Sequence, residues 1–452
     1  MLLASYGGAL VCLHSHARAG TNPSPGLSLP VLDQTTHLEQ LVTTPDTAAQ
    51  QPQPRRRRRV LLATAALAAV GALTLSACGG DADAKGDKKS DTSKDASGAR
   101  IAISSKDGAT DASINATGVK VKDGKLTDVK MTDVTSGSAV EGSISADGGT
   151  WKPKAQLERG TKYKVTANAK DSDGRPATEN ATFTTVSNAN SFIGSYTPDG
   201  GTTVGAGMPV SFTFDKAITD KKAVQSHITV SSSSGQKVVG HWFGNQRLDF
   251  RPQEYWKSGS KVTMKIELDG VKGAANATGV QDKTVTFTVG RAQVSTVDVK
   301  ARTMTVERDG KVVKTIPISA GSPENPTYNG QMVISEKFTQ TRMNGSTVGF
   351  GGEYDIKDVP HAMRLSTSGT FIHGNYWSSP SIFGSANTSH GCVGLRDVQG
   401  AQGDTVAKWF FDNSLVGDVV TVKGSPDKTI SPDNGLNGWN MSWSEWTAGS
   451  AA

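Results

Sequence analysis

His373 closes the apolar run Phe371-Ile372-His373, and after fifteen further residues the chain reads Ser389-His390-Gly391-Cys392-Val393-Gly394-Leu395-Arg396. A thiol is a poor nucleophile until its proton is removed, and an imidazole beside it can take that proton. A histidine at the end of a strand is rigidly mounted for the task. Gly391 would let backbone pass close to a bound carbonyl, where the N–H groups of Gly391 and Cys392 would meet the oxyanion of a tetrahedral intermediate. The chemistry these residues support is acyl transfer through a thioester on Cys392. Two other readings use the same side chains. One is an inert buried Cys near a structural His. The other is a zinc site made from His373, His390 and Cys392, which lacks a fourth ligand and has neither CxxC nor HExxH spacing.

The elements that must position this set are strands. The chain of 452 residues is long enough for about three domains. With 50 Gly and 36% hydrophobic residues it does not read as a helical bundle or a multi-span membrane protein. From residue 100 onward short alternating runs recur, including Ile101-Ala102-Ile103, Val119-Lys120-Val121, Tyr163-Lys164-Val165 and Ala181-Thr182-Phe183. Asp-Gly pairs at 107–108, 123–124, 147–148 and 173–174 fall between them, the turn chemistry of antiparallel hairpins. A second module echoes the first, with Val210-Ser211-Phe212-Thr213-Phe214, Leu248-Asp249-Phe250 and a closing run at 283–289. The repeat predicts two immunoglobulin-like β-sandwiches, over 100–188 and 189–290. Trp151, Trp242 and Trp256 read as packing residues, and His227 and His241 as structural histidines.

A third, mainly β domain is expected over 291–424. Strands are read at 294–319 around an Asp309-Gly310 turn, at 332–335, 371–373 and 418–422, with one helix at 406–411. A tail over 425–452 carries Trp439, Trp443 and Trp446, which should pack back onto a neighbouring module.

The N-terminal part carries an address. Five arginines at 55–59 precede an apolar run at 60–75 and then Leu75-Ser76-Ala77-Cys78, the form of a secretory signal over 55–78 that ends in a lipidated Cys78. Residues 1–54 lack a core pattern, and a start near Val42 is expected in their place. Residues 79–99, rich in Gly, Asp, Lys and Ser, read as a flexible tether. Much of the net charge of +6 sits in the arginine run, so the remainder gives no electrostatic case for nucleic acid. Cys12, Cys78 and Cys392 are too scattered for a disulfide framework.

The His373-to-Cys392 spacing and the Ser389-His390-Gly391-Cys392 sequence resemble the signature of the L,D-transpeptidases, whose catalytic domain is of the YkuD type. The resemblance extends over lipobox, two immunoglobulin-like domains, a YkuD-type β-sandwich and a Trp-rich C-terminal extension, as in the actinobacterial multidomain members. It implies Cys392 as nucleophile and His373 as general base, then as acid for the leaving amine. The Gly374 carbonyl would orient the imidazole, and Ser389, His390 and Gly391 would support the oxyanion site. Tyr354 would be a lid tyrosine, Ser368-Gly369 a substrate-contacting pair, and Trp377 and Met343 the cleft walls. One position departs from the pattern: the family usually has Asn two residues after the Cys, and this chain has Gly394, so backbone or Arg396 would have to serve.

The implied reaction takes a peptidoglycan stem tetrapeptide, expels D-Ala and passes the acyl group to a neighbouring stem amine, forming a 3→3 cross-link. It needs no metal or organic cofactor. Water as acceptor would make the same site an L,D-carboxypeptidase, and a non-catalytic wall-binding lipoprotein is the remaining alternative. Carbapenems are the inhibitors implied. The place implied is the outer face of the cytoplasmic membrane, with a lipid on Cys78 and the enzyme facing the wall.

Overall fold

The computed structural model describes residues 96–452. The 1–54 segment, the signal-like stretch with Cys78, and most of the expected tether lie outside the described residues. The last tether residues are not free. Gly98 N–H donates to Asp171 Oδ2 at 2.8 Å, Ser97 Oγ donates to the Arg175 carbonyl at 2.9 Å, and Ala99 is buried in the first core. The sandwich therefore begins before residue 100, because Asp171 offers acceptors that the preceding backbone satisfies.

The first sandwich faces a four-stranded sheet (Arg100–Ile103, Val119–Lys122, Thr150–Pro153, Gly142–Ile144) against a three-stranded one (Lys125–Asp133, Lys162–Lys170, Pro176–Thr184). Alternation places Tyr163, Val165 and Ala167 inward, where they meet Trp151, Met131 and Phe183. Tyr163 Oη accepts from Glu158 N–H at 3.1 Å, which pins the chain as it enters its strand. The second sandwich has its own core, with Phe212, Phe214, Leu248, Phe250, Met264 and Phe287, and Trp242 and Trp256 are buried in it.

The third domain carries nine strands: β1 Gln293–Asp298, β2 Thr303–Arg308, β3 Lys311–Ser319, β4 Gly330–Val333, β5 Glu336–Asn344, β6 Asp355–Arg364, β7 Phe371–Asn375, β8 Val393–Arg396 and β9 Val419–Lys423. Their order is β4-β9-β1-β2-β3-β8-β7-β6-β5. The start of β3 pairs with β2 and its end, Ile318 and Ser319, pairs with β8, so the sheet folds over along this strand. Both halves then share one core: Val297, Met304 and Ile316 meet Met363, Ile372 and Leu395, with Phe410 from the helix Val406–Asp412. The 294–319 stretch holds three strands where two were expected. The extra turn lies at 299–302, where Asp298 Oδ1 accepts from Ala301 N–H at 2.9 Å and Arg302 takes a positive φ of 55°.

The C-terminal tail docks on the second sandwich and on β4. Arg251, itself buried, lies under three indole rings, 4.6 Å from Trp439, 5.5 Å from Trp443 and 4.3 Å from Trp446. Burial lowers its pKa to about 10, and its Nη2 donates to the Met441 carbonyl at 3.0 Å. Trp439 Nε1 donates to the Gly207 carbonyl at 2.7 Å, and Asn440 pairs with the backbone of Gln331 on β4.

Candidate active site

Strands β7 and β8 run parallel, with Ile372 opposite Val393 and His373 opposite Gly394. Parallel neighbours need a long crossover, and here it is the 376–392 loop that sets the His-to-Cys spacing. Ile372 and Val393 point into the core, fully buried. Alternation sends Phe371, His373 and, just ahead of β8, Cys392 to the opposite face. There Cys392 packs beside Phe371, Val359 and Ala362.

The imidazole is fixed on one side. His373 Nδ1 donates to the Gly374 carbonyl at 2.8 Å, which leaves the Nε2 lone pair available. Trp377 stacks over the ring at 5.6 Å and 17° while remaining 42% exposed itself. Burial pushes the His373 pKa below the ordinary value, against smaller upward pulls from the Gly374 bond and the Asp397 charge. Burial also drives the Cys392 thiol up to about 11. The pair at neutral pH is thus a thiol and a neutral base, and Sγ–H lies 3.6 Å from the Gly369 carbonyl.

Both side chains open on one cleft of about 410 Å³, within the range of small-ligand sites. Met343, Tyr354, Trp377, Ser389 and His390 line it. Tyr354 is pushed up to about 12, first by burial and then by the neighbouring Cys392 and Glu353. His390 braces Tyr354: Nε2 pairs with Glu353 Oε2 at 2.9 Å, and the ring packs against Tyr354 at 5.0 Å and Phe350 at 5.4 Å. Gly391, at φ 104°, makes the turn into Cys392, a backbone shape that disfavours any side chain. Its N–H donates to Ser389 Oγ at 3.2 Å, and Ser389 Oγ donates to the Cys392 carbonyl at 2.6 Å. Of the two amides expected to meet an oxyanion, Gly391's is thus engaged inside the turn.

Other predicted residues stand outside the lining. Ser368 is exposed and tied to the tail, its N–H donating to Asn434 Oδ1 at 3.0 Å and its Oγ accepting from Asn434 Nδ2 at 2.8 Å. Gly369 acts through its carbonyl, next to the thiol. Arg396 is exposed and does not line the cleft, so it does not take the place of the missing Asn. Gly394 is buried, yet a Cβ there would meet Ser319 O at 3.4 Å and the Asn375 side chain at 3.6 Å, so space does not dictate glycine.

Sequence reasoning missed Ile356, Asn375, Ser378 and Thr388, which complete the lining. Asn375 was readable, since it stands two residues after His373 on the same strand face. Its carboxamide pairs with Ser378, Nδ2 donating to Oγ and Oδ1 accepting from N–H, both at 3.0 Å.

Two family models match the chain: the L,D-transpeptidase catalytic domain (YkuD) over 292–422, and a bacterial Ig domain (Big_10) over 109–272, which spans parts of both sandwiches. L,D-transpeptidase 2 of Mycobacterium tuberculosis (strain CDC 1551 / Oshkosh) is 31% identical over 356 residues, covering 78% of this chain and 85% of the relative. L,D-transpeptidase 5 of Mycobacterium tuberculosis (strain ATCC 25618 / H37Rv) is 28% identical over 324 residues, 70% of this chain and 69% of the relative. A solved structure of the LD transpeptidase LdtMt1 in complex with imipenem is similar at 30% identity and TM-score 0.43, covering 51% of this chain and 97% of that one. Sequence identity that runs through the sandwiches as well as the thiol-bearing cleft places this chain in the L,D-transpeptidase family.

Proposed function

We propose that this protein forms 3→3 peptidoglycan cross-links by acyl transfer through Cys392. The observation that carries the reading is the shared cleft of Cys392 and His373, with Nδ1 engaged by Gly374 and Nε2 left as the base. Sγ attacks the carbonyl of the third stem residue as the thiol proton passes to His373 Nε2. The Cys392 amide meets the developing oxyanion. Collapse breaks the bond to D-Ala, and His373 returns the proton to the leaving amine. An amine of a second stem then attacks the thioester, His373 takes the proton it loses, and the thiol leaves reprotonated. Tyr354 and Met343 flank the donor, and Asn375 offers its amide near the gap at Gly394.

Intact mass after incubation with a carbapenem tests the nucleophile. One adduct is expected on the wild type and none on Cys392→Ala, while an unmodified, folded, reduced wild type overturns the assignment. A disaccharide-tetrapeptide substrate then separates the acceptors: dimer with free D-Ala supports cross-linking, and tripeptide alone supports the carboxypeptidase.

We also infer export and a lipid anchor on Cys78, supported by the arginine run, the apolar stretch and Leu75-Ser76-Ala77-Cys78. Incorporation of labelled fatty acid into the wild type, and its loss in Cys78→Ala, is the expected result.

A further inference from the structure

Behind the cleft lies a second histidine–carboxylate pair that the proposed acyl transfer does not use. His361 Nδ1 meets Asp397 Oδ2 at 2.7 Å, and both side chains are almost fully buried, at 3% and 0% exposure. His361 sits on β6 at a positive φ of 48°, which non-glycine residues seldom adopt. The ring of Phe411 covers it at 5.3 Å. The other carboxylate oxygen, Oδ1, accepts from Thr405 Oγ1 at 2.8 Å and from Val398 N–H at 2.9 Å. The charge is therefore held by three donors from three segments and does not reach the cleft itself.

What the carboxylate touches is Gly374. A Cβ on that residue would collide with the Asp397 side chain, so glycine is the residue that allows the approach. Gly374 is also the residue whose carbonyl accepts from His373 Nδ1. Gly374 thus lies between the two pairs: its carbonyl accepts from His373 Nδ1, and its Cα side lies against the carboxylate that meets His361. Asp397 raises the proton affinity of His373 by its charge, opposing the burial that lowers it.

We propose that Asp397 is a positioning residue, whose buried carboxylate, packed against Gly374, stabilises the positive charge that His373 gains when it takes the Cys392 proton. The problem it addresses is specific to this site. A buried imidazole is a weak base and a buried thiol a weak acid, so the proton transfer between them creates two charges in a medium that solvates neither well. A fixed negative charge on the far side of the imidazole favours the protonated base without competing for the thiol or the substrate. Triads that orient a catalytic histidine by a buried carboxylate act through a direct bond. Here the carbonyl of Gly374 makes the direct bond, and the carboxylate acts from behind it.

This inference rests on the assignment of Cys392 and His373 as the reacting pair. The titratable groups around His373 are Cys392 from the turn before β8 and Asp397 from the end of β8, with His361 of β6 beyond it, and, lining the same cleft, Tyr354 and His390 with its partner Glu353.

The test is the pH dependence of the second-order rate of carbapenem acylation, with thermal melting in parallel. Asp397→Asn keeps the shape of the side chain and removes its charge. The expected result is a cooperative melt, a rate lowered about tenfold on the plateau, and an acid limb moved to lower pH, because His373 has become a weaker base. His361→Asn retains a donor toward Asp397 and tolerates the left-handed backbone. It is expected to hold the rate within about threefold, with an acid limb that does not fall below that of the wild type. A wild-type plateau and an unmoved limb in folded Asp397→Asn overturn the proposal, as does a lower limb in His361→Asn. Should neither Asp397→Asn nor Asp397→Ser melt cooperatively, Asp397 belongs to the scaffold of β8 and the assignment likewise fails. A wild type that is not acylated at all counts against the Cys392 assignment instead.

Discussion

Cys392 and His373 meet as neutral partners. With the thiol at about 11 and the imidazole below its ordinary value, the site holds no ready thiolate near pH 7, so in the proposed acyl transfer the two would act in one motion. Simple alkylation should expose this. Iodoacetamide is expected to label Cys392 slowly at pH 7, with a rate that keeps climbing as the pH approaches 11. A thiolate-like plateau near pH 7 would contradict it. Replacing the base, as His373→Gln, should slow carbapenem acylation by about 10²–10⁴-fold. Trp377 shapes the same equilibrium, because its exposed ring covers the imidazole. Trp377→Ala lets water reach His373, relieves the burial that depresses its pKa, and should move the acid limb of the acylation profile to higher pH. A limb that stays in place would show that the ring does not desolvate the imidazole.

Two elements seat these residues, and they differ in how visible they are in sequence. Strand β7 is apolar and its alternation is legible, so Phe371 and His373 fall on one face, whereas β8, four residues that include Gly394 and Arg396, is too short to read as a strand, and the parallel pairing that brings Cys392 to that face comes from the fold. The β5–β6 hairpin is not legible in this way. Its strand Glu336–Asn344 is half-exposed or exposed along its whole length, so neither face carries an apolar pattern. Yet its loop brings Tyr354 and Glu353 over the cleft. The tail is similar. Its tryptophans marked it as packed, but nothing in sequence indicated that Asn434 would reach Ser368, since that contact spans 66 residues. Asn434→Ala frees the Ser368-Gly369 segment whose carbonyl accepts from the thiol. Acylation should fall several-fold, about 1 kcal/mol of lost positioning, with little change in melting temperature. An unchanged rate would assign Asn434 to the tail alone.

Across the molecule, stability is concentrated at different points in different modules. Trp446 is fully buried between the tail and the second sandwich, stacked on His241 at 4.9 Å. Trp446→Ala should cost about 3–5 kcal/mol in a denaturant titration, and an effect below about 1 kcal/mol would mean that the tail docks without it. The first sandwich is pinned instead by Asp171, lowered to about 2 by the N–H of Gly98 and by hydrogen bonds from Arg175 and Asp173. A depressed carboxylate stabilises the fold above its ordinary value of 3.8, and that stabilisation disappears as pH falls through about 2. Asp171→Asn should therefore flatten the acid dependence of melting in this window, and an identical dependence would place the acid-labile contact elsewhere. The link from Asn434 to Ser368 has a further consequence, one of timing. Asn434 is synthesised after Cys392, His373 and all nine strands. A chain growing from its N-terminus carries Cys392 and His373 before it carries the clasp that steadies the segment bearing the thiol's acceptor, so the order of synthesis delays a fully seated thiol until Asn434 has been made.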